Sequence, residues 1–300
     1  MSLVSLANSQ LGPRIGIAAG RLLPKGFAYR AAASIARRVA AGRGPLPSAV
    51  SANQAVIRGL DPGDPSLARA VEDVLRSAAI GYVDLFKAMA GGPPALMESC
   101  SFDPQVKVWL DQSAQEGRGL LAVSAHLSCF DMILLSLTSY GYSFQGLSYS
   151  DPRGSYLVQN AVRLQHGLEL TPIDAPSLRK ALHRLKGGGM AMTAVDRPVP
   201  EGEVLQFFGR PALLPVGHAR LAIMAGARVL VAVCQSRGAG KYHIAAGGLL
   251  DARSYGRRGD GPKRLAQDVL AMLETFIRAR PEEWLMFHPV WPNEPGQPGR

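Results

Sequence analysis

The chain has few cysteines, few aromatics and no acid near its start. Its three cysteines, Cys100, Cys129 and Cys234, are odd in number and far apart. That argues against a disulfide framework and fits a reducing compartment. No run reads as a membrane span. The longest uncharged stretch, Met132 to Ser150, is interrupted by Ser136, Thr138, Ser139, Gly141, Ser143, Gln145 and Gly146, and reads as a helix, a glycine turn and a strand. Met1 to Gln10 lacks the charged opening of a secretory signal. There is no Gly-x-Ser-x-Gly elbow, which argues against a serine hydrolase. Gly238-Ala239-Gly240-Lys241 lacks the first glycine of a phosphate-binding loop, and Gly187-Gly188-Gly189 precedes a strand, the wrong order for a dinucleotide site. The histidines show no metal-ligand spacing, so no metal site is expected.

Acidic residues are missing from the first sixty positions. Arg14, Arg21, Lys25, Arg30, Arg37, Arg38, Arg43 and Arg58 all precede Asp61, so most of the net charge of +10 lies there. A nucleic-acid binder more often carries its charge on the folded body, and no nucleic-acid partner is expected. A basic, apolar segment suits an anionic membrane surface instead. Residues 14–42 read as one or two amphipathic helices broken at Leu22 to Gly26, with Phe27, Ala31, Ile35 and Val39 opposite Arg30, Arg37 and Arg38. Such a helix fits the headgroup boundary or, equally, ordinary packing on the core. Residues 42–51 read as a Gly/Pro/Ser linker. The expected division is a membrane-associating segment over 1–50 and a catalytic domain over 51–300.

What is present is the pattern of a globular chain, 47% apolar. Helical spacing covers 52–59 and 66–91. From Leu120 onward, expected strands at 120–124, 143–149, 168–172, 190–195, 228–234 and 241–247 alternate with helices at 129–139, 154–166, 175–186, 216–226 and 262–279. The fold class is therefore α/β, with a mostly parallel central sheet flanked by helices, behind an amphipathic helical amino-terminal segment.

The chain is organised around Ala122 to Asp131. The apolar strand from Leu120 delivers His126 to the carboxyl edge of the sheet, where open α/β folds place ligands. Asp131 falls in the first turn of the next helix, where the dipole favours a carboxylate. A carboxylate within reach of an imidazole makes a useful general base. Ser128 to Asp131 also matches a helix-start capping box. Asp196 and Arg197 end a second apolar strand at the same edge. Phe207-Phe208-Gly209-Arg210 forms an aromatic turn, and Arg210 and Arg220 are placed to hold a phosphate or carboxylate, unless Arg220 simply pairs with Asp196.

Together these residues resemble the bacterial lipid A biosynthesis acyltransferases, a branch of the lysophospholipid acyltransferase superfamily, from roughly Leu22 to Trp291. The motifs are His126-x4-Asp131, Arg163 to Gly167, the strand-ending Asp196, the block from Phe207 to Ala222, and Pro281 to His288. The resemblance implies acyl transfer from acyl-acyl carrier protein or acyl-coenzyme A to a lipid hydroxyl, with no further cofactor. His126 would be the general base and Asp131 its orienting carboxylate. Arg163, Asp196, Arg197, Phe208, Gly209, Arg210 and Arg220 would meet substrate. The place implied is the cytoplasmic face of the inner membrane, peripherally held. Relatives commonly read His-x-x-Asn-Trp-Glu where this chain has Ser128-Cys129-Phe130-Asp131, and carry basic residues where it has Pro289-Val290-Trp291. The acceptor is thus open between a lipid A precursor, a lysophospholipid and a glycolipid, and a catalytically inactive lipid-binding relative is the alternative.

Overall fold

The computed structural model describes residues 22–148 and 168–291, with the isolated positions Ala18, Asn160 and Leu164. Among the described residues four helices come first: α1 (Lys25–Ala40), α2 (Pro45–Arg58), α3 (Ser66–Ala90) and α4 (Gly92–Ser99). There follow β1 (Cys100–Phe102), α5 (Pro104–Gln115), β2 (Leu120–Ser124), α6 (Asp131–Ser139) and β3 (Phe144–Ser148). The expected helix at 154–166 lies outside the described residues, except that Asn160 and Leu164 are helical. The chain continues through β4 (Glu169–Pro172), α7 (Ala175–Lys186) and β5 (Met190–Ala194). A hairpin, β6 (Glu203–Phe207) and β7 (Arg210–Leu214), precedes α8 (Gly217–Ala225). Then come β8 (Arg228–Gly238), β9 (Lys241–Asp251), α9 (Gly261–Ala279) and a short turn at Pro281–Glu283.

Seven strands form one sheet in the order β1-β9-β8-β2-β5-β3-β4. Every pairing is parallel except β8 with β9. The central strand β2 is a continuous apolar run because both of its faces are covered. Its side chains alternate. Leu121 and Val123 join one core with Val229, Val231, Leu265 and Leu273, while Leu120 and Ala122 join another with Met132, Ile133, Met192 and Leu230.

The sequence reading had no element between 91 and 120, where α4, β1 and α5 lie, and three further readings change. The stretch read as a linker at 42–51 is largely helix, and α2 runs through residue 50. Pro45 stands in its first turn, where a missing N–H costs nothing. Residues 203–214 pair as a hairpin whose turn holds Phe208 (φ 54°) and Gly209 (φ 72°) in left-handed conformations. That is the geometry that matches strand twist in a two-residue loop. Ser128 does not cap α6: it too has positive φ (53°), and Phe130 occupies the cap position without a side-chain bond.

Helix α1 packs on the core through Ala32 and Ala36, beside Val71, Val74 and Leu75. Asp84 of α3, itself buried, accepts hydrogen bonds from Tyr29 and from Tyr242 (2.8 Å), which ties α1, α3 and β9 together. Most of the face read as apolar points outward, with Phe27 52% exposed and Ile35 41%, while Val39 packs against the core. Among the described residues no helix is long and apolar enough to cross a membrane.

Candidate active site

The site follows from strand register. In the parallel pair of β2 and β5, Ser124 lies opposite Ala194, and the Val195 N–H continues the ladder to the Ser124 carbonyl at 3.1 Å. Two residues beyond that register stand His126 and Asp196, side by side at the carboxyl edge of the sheet. His126 Nδ1 lies 2.7 Å from Asp196 Oδ1, and the His126 backbone N–H donates to Asp196 Oδ2 at 2.9 Å. Trp284 donates its indole N–H to the same Oδ2 at 2.8 Å. The Asp196 carboxylate is 0% exposed, whereas the His126 side chain keeps 26% of its surface open.

The carboxylate on Nδ1 is therefore Asp196, in the place that the spacing assigned to Asp131. Asp131 is buried at the start of α6 and acts on His126 through its charge. Burial alone would depress the imidazole pKa. The Asp196 charge and hydrogen bond outweigh it, with Asp131 adding and Arg197 opposing, and the net direction is upward. For Asp196, burial pushes up, but the His126 charge and the bonds from His126 and Trp284 hold the carboxyl below its ordinary range. With the Nδ1 proton given to Asp196, the Nε2 lone pair is left free to take a proton.

The closing segment builds the other wall. Trp284 pairs with Leu127 as an antiparallel bridge, the Leu285 N–H donates to the His126 carbonyl (2.8 Å), and the Ser128 N–H donates to the Glu283 carbonyl (2.6 Å). Asn53 of α2 secures this segment, donating to the carbonyls of Met286 (3.1 Å) and His288 (2.8 Å) and accepting from the Val290 N–H (3.0 Å). Phe130 sets its ring edge-on to His126 at 5.1 Å.

The other sequence-derived candidates are distributed. Arg163 lies outside the described residues. Asp196 is a buried partner of His126 and not a surface contact for substrate. Arg197 is half-buried and close enough to lower the pKa of both His126 and His288 by its charge. Phe208 is pinned to α9, its N–H donating to Glu274 (2.7 Å) and its ring lying under Arg278 at 4.7 Å. Gly209 and Arg210 form the exposed hairpin tip. Arg220 pairs with Glu203 at 2.5 Å and not with Asp196. The residues that sequence reasoning missed are Trp284 as a donor to Asp196 and Asn53. Pro281 to His288 was singled out as a motif, but nothing local tied its indole to Asp196.

On the α5–α6 side of the sheet a small apolar cavity of about 20 Å³ is lined by Ala122, Ser124, Met192, Leu230 and Ala232 of the strands. Val106, Leu110, Ile133, Leu137 and Phe144 close it. Ser124 brings the lining to within two residues of His126.

The fold and site define an open, mostly parallel α/β protein with a histidine–carboxylate pair at its carboxyl edge. The chain matches the bacterial lipid A biosynthesis acyltransferase family over residues 14–293, and it belongs to that family. It is also 27% identical over 190 residues to the phosphatidylinositol mannoside acyltransferases of two Mycobacterium tuberculosis strains, CDC 1551 / Oshkosh and ATCC 25618 / H37Rv. Those alignments cover 61% of this chain and 57% of each relative, so it aligns with just over half the length of either.

Proposed function

We propose that the protein is an O-acyltransferase that works on a membrane surface, moving a fatty acyl group from an acyl-carrier-protein or coenzyme A thioester to a lipid hydroxyl. The observation that carries this reading is the His126–Asp196 pair at the sheet edge, with no partner on Nε2 among the described residues. Nε2 takes the proton of the acceptor hydroxyl, and the oxygen attacks the thioester carbonyl. The tetrahedral oxyanion then collapses, and the departing thiolate takes the proton back from the imidazolium. Asp196 holds the ring and its tautomer, and the Asp131 charge further favours the imidazolium. Arg163 and Arg197 suit an anionic acceptor headgroup. The relatives named for a mannosylated phosphoinositide favour a phosphorylated glycolipid as acceptor.

His126→Ala is expected to lower acyl transfer to membrane lipid by at least about a thousandfold, read by mass spectrometry of the product lipid. The variant should still fold, with a lowered midpoint of thermal unfolding by calorimetry, because the buried Asp196 carboxylate loses its imidazole partner. Transfer at the wild-type rate would remove the reading. A wild-type protein that binds thioester and lipid but turns over neither would favour the inactive relative.

The membrane contact belongs to the same proposal, as does a peripheral position on the cytoplasmic face of the inner membrane. Phe27, Ala31 and Ile35 recur every four residues on the outer side of α1, beside the exposed Arg30 and Arg38. Leu22 (81% exposed) adds an apolar side chain just ahead of α1, and Lys87 of α3 holds the Leu23 carbonyl at 2.6 Å. The inner side of α3 reaches the catalytic loop, since a Cβ on Gly81 would lie 3.4 Å from Cys129. A strip of this kind sets the site beside the bilayer. Phe27→Glu with Ile35→Glu is expected to weaken sedimentation with anionic vesicles by at least about tenfold, leaving the Ala32 and Ala36 packing in place. Undiminished sedimentation would refute this role for α1.

A further inference from the structure

Three donors reach Asp196 among the described residues, and two of them belong to His126 itself. The indole N–H of Trp284 is the third, and it alone fixes the carboxylate from outside the pair. We propose that Trp284 is a positioning residue for the reaction: its N–H, given to Asp196 Oδ2, sets the orientation of that carboxylate and thereby the basicity of His126. The inference rests on the dyad reading above and adds to it a residue that does not itself meet substrate.

The geometry restricts the indole on every side. Trp284 is fully buried, with Phe207 at 5.9 Å, Phe208 at 6.1 Å and Trp291 at 6.2 Å between ring centroids. Its backbone bridges Leu127, so the residue that holds Asp196 also sits on the chain carrying His126. Oδ1 is thereby kept for Nδ1, while Oδ2 is divided between the His126 backbone and the indole. Without the indole, Asp196 and His126 could tilt together, each satisfied by the other. The N–H also presents its positive end to a carboxylate that is sealed from bulk solvent. Removing it makes the local potential more negative and raises the proton affinity of the pair. Glu283, beside Trp284 in sequence, locks the segment by accepting from the Ser236 N–H (3.1 Å) and pairing with Arg280 (2.7 Å).

The test replaces Trp284 with β-(3-benzothienyl)alanine, which keeps the indole outline and lacks the N–H, with Trp284→Phe alongside. The acid limb of kcat/KM is expected to move upward by roughly half a unit to one unit. Turnover should fall about tenfold at neutral pH with KM for the thioester unchanged, because the lost bond lies behind the carboxylate. The His126 ring resonance in the resting protein should titrate higher by the same amount. A benzothienyl variant with wild-type turnover and an unmoved limb overturns the proposal. So does lost turnover with an unmoved limb, which would make Trp284 packing alone. The resting-state titration follows the N–H whether or not the dyad performs the chemistry. Full activity in His126→Ala would therefore sink the dyad reading without being mistaken for failure of this one.

Discussion

Asp196→Asn is expected to leave the protein folded and to cut acyl transfer by about 10³- to 10⁴-fold. The amide keeps the size of the carboxylate but offers Nδ1 a group that cannot stabilise imidazolium, and it invites the wrong tautomer. Oδ2 accepts from two donors, so a correctly turned amide still fills that place with its oxygen and then presents NH₂ to Nδ1. The proton is thereby driven to Nε2, where the lone pair is needed. The surviving activity should show its acid limb at lower pH, since the largest upward influence on the His126 pKa has been removed. Asp131→Asn leaves the Nδ1 bond intact and removes a smaller influence, so a loss of about tenfold and a smaller shift in the same direction are expected.

Ala232→Trp is expected to divide donors by length. Ala232 lines the small apolar cavity with Ala122 and Leu230; under the proposed function an acyl chain enters by widening it, and an indole there blocks that widening. Excluding about four methylenes costs roughly 3 kcal/mol, or about two hundredfold in kcat/KM. Thioesters of twelve or more carbons should lose about that much, whereas butyryl transfer should stay within about threefold of wild type. Overpacking is expected to lower stability by about 1–3 kcal/mol, measured by urea unfolding. Equal losses for long and short donors would detach this cavity from chain binding.

Much of the fold is visible in the chain because β2, β5 and β8 are buried apolar runs ended by polar residues or turns. His126 could be read for the same reason. The partner of His126 could not be, because it depends on β2 and β5 being neighbours, a fact of tertiary register that places residue 126 beside residue 196. Local spacing favoured Asp131, which is nearer in sequence and lies at a helix start. The 203–214 hairpin was hidden because its turn begins with a phenylalanine at positive φ, where glycine or asparagine is the usual signal. Helix α5 was not read from the sequence: its start signal, Asp103 ahead of Pro104, is realised as a cap on the Gln105 N–H (3.0 Å), but its polar surface left little apolar periodicity. The burial of the Trp284 indole against Asp196 has no local signature.

The most direct test of the account is the titration of the His126 imidazole, followed by nitrogen-resolved resonance in the resting protein. The His126–Asp196 pair predicts an Nδ1-protonated neutral ring, titrating above the ordinary histidine value of about 6.5 and dropping in Asp196→Asn further than in Asp131→Asn. A ring protonated on Nε2, or a titration that moves with Asp131 and ignores Asp196, would contradict it.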